Sequence, residues 1–233
     1  MDYKWLTFPI IAVIIVTVAG NLLFNKPYVK NAEISVENVN EISIQGKNMD
    51  IFFDENSDIV QIPSGLYSSK NYNTLEVSVP DSNPEDMKIK IIIGTKSSYE
   101  KINIDGSTIN LTGIVKAQNF IISGTSINFN SDVVSSELQI SGIGIKINSK
   151  INSENIEINT VGIDGNIEIL YNKIFNINTL GINSDIKYTN TRNDSQLNLN
   201  SFGGNVNLIT PKNDYFNLKT KKIGMINLNE INY

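Results

Sequence analysis

Carboxylates gather at two places in this chain, at Asp54, Glu55 and Asp58 and again at Asp81, Glu85 and Asp86. Oxygen clusters of that kind suit a hard cation such as Ca²⁺. Neither cluster sits in an Asp-x-Asp-x-Asp-Gly loop or a glycine-rich nonapeptide, so both are read as solvated loops and no metal site is expected. Lys219, Lys221 and Lys222 form a basic run. Such a run suits anionic polymer or lipid headgroups, and equally the charges by which an edge strand refuses unwanted pairing. Gly142-x-Gly144 and Gly203-Gly204 could cradle a phosphate only ahead of a helix. No helix is expected there, and they are read as turn glycines. Polysaccharide lyases built on β-helices use carboxylates with Arg or Lys. The single arginine, Arg192, and the lack of an acidic cluster recurring along one face make that chemistry the third reading behind two non-enzymatic ones.

Two residue types that carry most catalysis are missing altogether: the chain has no histidine and no cysteine. Without histidine it lacks the side chain that titrates nearest neutrality and most often serves as general base or zinc ligand. Without cysteine it has no thiol nucleophile, disulfide, thiolate metal site or lipobox attachment point. A Ser-His-Asp triad, a His-Glu-x-x-His site and a zinc ribbon are therefore excluded. No catalytic residue, cofactor or metal is expected, and no binding residue is assigned. A net charge of −5 argues against nucleic acid as a partner, because phosphate binding needs a dense basic face.

What positions the remaining residues begins with the N-terminal segment. From Trp5 to Phe24 the chain reads WLTFPIIAVIIVTVAGNLLF, without a charge. That length spans a hydrocarbon core at helical rise, with Trp5 and Tyr28 where amphipathic rings prefer the interface and Pro9 in the first turns, where it costs least. The expected organisation is a short tail over 1–4, a transmembrane anchor over 5–24 and a linker over 25–31. A cleavable signal peptide, cut after Ala19 or Gly20, is the competing reading. Lys4 opposes Lys26 and Lys30, so the positive-inside count does not decide orientation. The expectation is a single-pass cell-membrane protein with its large domain extracytoplasmic.

The remainder is periodic. A unit of apolar-x-apolar, a polar or glycine turn, and a second apolar-x-apolar starts at Ile102, Phe120, Leu138, Ile156, Phe175, Leu197 and Phe216, with spacings of 18, 18, 18, 19, 22 and 19 residues. Seven residues after each start stand Ile109, Ile127, Ile145, Ile163, Ile182, Gly204 and Ile223. Small or polar residues lie between: Gly106, Gly124, Gly142, Thr160, Thr179, Ser201 and Thr220. Alternation of period two gives each short strand one buried face. A constant advance stacks each isoleucine on that of the coil before, which is how units too small to bury a core alone make one together. This predicts an all-β, single-domain, right-handed β-solenoid over 32–233 with coils of about 18–22 residues. A β-sandwich would alternate as well, without needing aligned columns.

Residues 101–233 hold the regular coils, and 32–100 reads as irregular capping coils. There, Ile34/Val36, Ile42/Ile44, Ile51/Phe53, Val77/Val79 and Ile89/Ile91/Ile93 look like strands, separated by a loop from Asp54 to Asn73 and by the turn SVPDSNPEDM. At the far end Ile223, Ile226 and Leu228 continue the columns almost to Tyr233, leaving a final coil open to self-association.

The stretches MKIKIIIGTKSSYEKINIDGSTINLTG, LQISGIGIKINSKINSENIEINTVGIDGNIEI and LNLNSFGGNVNLI carry a resemblance. Their layout resembles the bacterial putative-adhesin family of unknown function, whose toast-rack-like β-solenoid repeats follow an extended strand. The Leu-Pro pair that commonly closes that strand is here replaced by IIIGTK. The resemblance implies a non-enzymatic envelope protein, adhesin-like or an envelope-sensing accessory, with an unknown envelope protein or polysaccharide as partner. A polymerising scaffold of the bactofilin type is the alternative.

Overall fold

The computed structural model describes residues 31–233 except 37, 64–65, 80–87, 190–192 and 213–215. The chain divides into two units, Met1–Asn31 and Ala32–Tyr233. The expected anchor over 5–24 and its flanks lie outside the described residues. So do Asp81, Glu85, Asp86 and Arg192. Among the described residues no helix is long and apolar enough to cross a membrane.

The second unit is all-β. Its core is built from alternation, as in β7 (Tyr99–Tyr171), where Ile102, Ile104, Ile109 and Leu111 are buried. This 73-residue strand folds back on itself every 18 residues. Asn148 Nδ2 donates to Asn130 Oδ1 (3.2 Å) and Asn166 Nδ2 to Asn148 Oδ1 (3.2 Å). We call each passage a lap. The next laps are β8 (Ile174–Tyr188), β9 (Asn193–Thr210) and β10 (Phe216–Asn232), each parallel to the one before. Ile156 stands beside Phe175 and Phe175 beside Leu197; Ile163 stands beside Ile182 and Ile182 beside Gly204, as the spacing predicts. Outward-facing asparagines form hydrogen-bonded ladders between laps, including Asn159–Asn178 and Asn178–Asn200. Aligned amide ladders of this kind stabilise in-register parallel strands, which gives the asparagine-rich composition a structural reason.

The final lap departs from the expected register. Phe216 pairs with Asn193 and Thr220 with Leu197, so the last lap is displaced by four residues from the sequence alignment. A bulge between Ile223 and Met225 recovers one residue, after which Ile226, and not Ile223, stands beside Gly204. Ile223 is half exposed and Ile226 buried. In this register Thr220 and Lys222 are set beside Leu197 and Leu199, and Glu230 beside Leu208, so polar groups lie at the end of the apolar columns.

The N-terminal part also differs. β2 (Glu41–Asp54) is a regular lap, with Ile42, Ile44, Met49 and Ile51 beside Ile102, Ile104, Ile109 and Leu111, 60 residues later. On its other side lie β5 (Thr74–Ser78) and β6 (Ile89–Gly94), both parallel to it. The chain thus lays down its second layer, builds the end layer, then passes over to continue the stack. The loop expected between Asp54 and Asn73 instead contains β3 (Ile59–Pro63) and β4 (Tyr67–Asn71), pairing antiparallel with β6 and β5. Val60 and Ile62 supply the buried face of β3, a two-residue alternation too short to stand out in the sequence. β1 (Asn31–Ser35) joins β3 at the sheet's edge. The order is β1-β3-β6-β2-β7-β8-β9-β10.

Candidate functional site

One corner of the unit is built from a recurring tripeptide. Thr160-Val161-Gly162 aligns with Thr179-Leu180-Gly181, and that with Ser201-Phe202-Gly203. Each hydroxyl sits between two carbonyl oxygens and shares its proton between them. Thr160 Oγ1 is 3.0 Å from both Ile143 O and Gly162 O. Thr179 Oγ1 is 3.1 Å from Val161 O and 2.9 Å from Gly181 O. Ser201 Oγ is 3.4 Å from Leu180 O and 2.8 Å from Gly203 O. The hydroxyl therefore binds its own lap to the previous one where the backbone bends away from the regular ladder, meeting carbonyls that the ladder does not.

The residue between hydroxyl and glycine points outward. In successive laps these residues are Val161, Leu180 and Phe202; Ile143, between Gly142 and Gly144, holds the same place one lap earlier, and the four are 48–71 % exposed, while Met225 of β10, also exposed, stands beside Gly203. At the usual distance between neighbouring strands, four such positions make an apolar ladder roughly 14 Å long.

Beside the ladder runs a column of glycines: Gly144, Gly162, Gly181 and Gly203. A Cβ at Gly144 or Gly181 would meet nothing, and at Gly162 or Gly203 only one backbone oxygen, at 4.0 and 3.9 Å. None of the four has the left-handed backbone that favours glycine. Gly204 is the contrast, with φ of 130° and the Ile182 carbonyl oxygen where its Cβ would stand. The bare column opens a trough of about 880 Å³, with Ile145, Ile163 and Ile182 at its floor and Lys146, Asp164 and Asn183 along the far wall. Asn183 Nδ2 donates to Asp164 Oδ1 at 3.0 Å, so that wall is internally satisfied.

A second corner shows that the outward apolar side chains are not a geometric necessity. Ser153 Oγ lies 3.3 Å from Ser136 O and 3.0 Å from Asn155 O, in the same bridging arrangement. Here the outward residue is Glu154, and Lys173 of the next lap meets it at 2.7 Å. The hydrogen bond that Lys173 donates to Glu154, reinforced by the carboxylate's charge, raises the ammonium's pKa. One backbone device thus displays an ion pair at one corner and the three hydrophobes Val161, Leu180 and Phe202 at another.

The residues first singled out for chemistry do not converge. Asp54 Oδ1 accepts from Asn56 N (3.0 Å), closing its own turn. Glu55 faces Lys116 at 3.8 Å, and Asp58 faces Lys96 at 3.3 Å. Lys219, Lys221 and Lys222 are exposed on the last lap, and Lys222 Nζ donates to Ile226 O at 2.8 Å. The glycine pairs divide by role: Gly142 would press a Cβ to 2.6 Å from Gly124 O and Gly204 is conformationally required, whereas Gly144 and Gly203 belong to the trough. The ladder itself escaped the sequence reading. Its signal was one residue beyond each small or polar column position, at Ile143, Val161, Leu180 and Phe202.

No protein-family signature and no curated protein matches the sequence. Among solved structures, a putative adhesin from Bacteroides fragilis is similar over 85 % of this chain and 96 % of its own, with 14 % identity and a TM-score of 0.41. A putative lipid-binding protein from Parabacteroides distasonis is similar over 87 % of this chain and 96 % of its own, with 16 % identity and a TM-score of 0.48. Likeness at this level assigns neither a family nor a ligand.

Proposed function

We propose that this chain is a non-enzymatic β-solenoid binding protein of the bacterial cell envelope, adhesin-like or an envelope-sensing accessory. On this reading residues 5–24 hold it in the membrane and residues 32–233 lie outside the cytoplasm. One observation carries the proposal: a lateral face in which an apolar ladder from Ile143 to Phe202 runs beside an open glycine trough. Exposed apolar stripes of this extent mark interaction surfaces. A catalytic pocket instead gathers a few polar groups at one point. The trough's polar wall is spread along successive laps, and its Asp164 is already engaged by Asn183. Such a face recognises by shape over a length, which is the task of a binding module.

Protease applied to intact cells tests the placement. Removal of the domain from about residue 30 onward is expected. Full protection until lysis would overturn the envelope reading.

A further inference from the structure

We infer that the ladder and the trough are complementary halves of one face on which a second copy of this chain docks, the two stacks side by side and parallel. This names the partner of the face described above and rests on reading it as a binding surface.

The trough glycines motivate the inference. Gly144, Gly162, Gly181 and Gly203 have room for a side chain, and no left-handed backbone demands glycine there. Glycine loses more conformational freedom on folding than any other residue, so four in register need a reason that the isolated chain does not supply. Space reserved for another molecule's side chains is such a reason.

The occupant must present knobs that climb by one strand spacing per step. A second copy does so by construction, including the uneven lap lengths that bring Gly162 beside Gly181 and Gly181 beside Gly203. Symmetry then sets the orientation. A two-fold axis along the stack exchanges left and right but not up and down. It brings each ladder over the partner's trough, with every lap opposite its own equivalent. An axis across the stack would set ladder on ladder and leave both troughs empty. A face of this kind is isologous and closes as a dimer.

Charge and area agree. Each chain carries a net charge of −5, so two copies need a neutral meeting face. The ladder is flanked by the amide row Asn159, Asn178 and Asn200 and by the glycines, the trough's Lys146 and Asp164 are opposite in sign, and the ion pairs Lys173–Glu154 and Lys150–Glu168 lie at other positions. The four ladder residues expose on the order of 500 Å² of apolar surface, within what a monomer shows in its largest patch, and the trough beside them adds to it toward the roughly 800 Å² that each partner contributes to a standard interface.

The test uses the full chain in lipid vesicles and exploits its lack of cysteine. Oxidised Leu180→Cys is expected to give a covalent dimer. Ile143→Cys mixed with Phe202→Cys is expected to give only like-with-like crosslinks, because these positions are three laps apart in a parallel pair. Gly181→Leu, from a position where a Cβ meets nothing of its own chain, puts a side chain into the trough and should weaken dimerisation at least tenfold, with an unchanged thermal melt. Leu180→Asn should do the same from the ladder side. A 143–202 crosslink, a dimer indifferent to both Gly181→Leu and Leu180→Asn, or a chain monomeric at hundreds of micromolar in detergent sedimentation would each overturn the dimer. A monomer that is still shaved from intact cells would overturn this inference alone; a dimer protected in intact cells would overturn the envelope reading alone.

Discussion

Lys222 stands directly beside Leu199 in the pairing of the last two laps, so a buried leucine column ends in an ammonium group that bonds back to Ile226 O. Thr220 beside Leu197 has the same effect one step earlier. An uncovered terminal lap is a template for further strands, and charge on an edge is a common defence. The double variant Thr220→Leu/Lys222→Leu is therefore expected to associate end to end. Sedimentation and electron microscopy should show elongated particles for the variant and none for the parent. Filaments from the parent would favour the polymerising scaffold.

The last lap is also pinned from behind. Tyr233 Oη donates to Tyr188 O at 3.1 Å, Tyr233 N donates to Thr210 O at 3.1 Å, and Lys187 Nζ lies 5.4 Å from the Tyr233 ring centre. Deleting 223–233 removes this closure and bares the apolar edge of β9. A lower melting temperature or a new association in sedimentation is expected. An unchanged monomer with an unchanged melt would make the segment dispensable.

Inside and outside are separated by one residue at Ile145 and Lys146, the first buried and the second exposed. Ile145→Ala should destabilise by about 2–5 kcal/mol through lost transfer energy and the cavity left behind. Lys146→Ala should stay within about 0.5 kcal/mol, as for most surface positions. Denaturant titration of the two variants measures the contrast.

Two glycines should respond oppositely to alanine. Gly165 has φ of 123° and a Cβ there would overlap the Ile147 carbonyl oxygen, so Gly165→Ala should destabilise by more than about 1 kcal/mol. Gly181 is open, and Gly181→Ala should be neutral or stabilising by about 0.4–1 kcal/mol through a less disordered unfolded chain. Thermal melts of the pair distinguish a required glycine from a spacious one.

Burial pushes the phenols of Tyr99 and Tyr188 well above their ordinary range, with Asp58 adding to the effect at Tyr99. Tyr99 Oη donates to Gly94 O at 2.6 Å, a bond that ionisation would break. Because the folded-state values are raised, the folded chain keeps these protons at a pH where the unfolded chain has lost them. Their contribution is complete below the unfolded tyrosine value of about 10 and falls as pH rises beyond it. Chemical denaturation between pH 8 and 11 should show a decline in stability beginning near pH 10. Tyr99→Phe should shallow that decline.

Much of the architecture was legible because its cause is local. Alternation of buried and exposed residues, and isoleucines spaced by one lap, are linear patterns that burial on one face writes into the chain from Ile102 to Leu208. Lys146 outward and Ile145 inward followed directly. The role of β2 was not legible, because Ile42 and Ile102 meet across 60 residues and a long loop costs little more to close than a short one. Nothing near Ile42 records which later segment it will lie beside.

The candidate site was hidden for a different reason. Ile140 and Ile145 are both buried although their positions differ by an odd step, so the in-out phase reverses at the corner between them. Alternation cannot say where Ile143 points within such a bend. The sequence by itself determined the strands and their spacing from Ile102 to Leu208 and the absence of histidine and thiol chemistry. Only the tertiary structure decided the shifted last lap, the polar cover over Leu197 and Leu199, and the exposure of Ile143, Val161, Leu180, Phe202 and Met225. Those outcomes depend on where hydroxyl-bridged corners turn the backbone and on which lap comes to rest beside which.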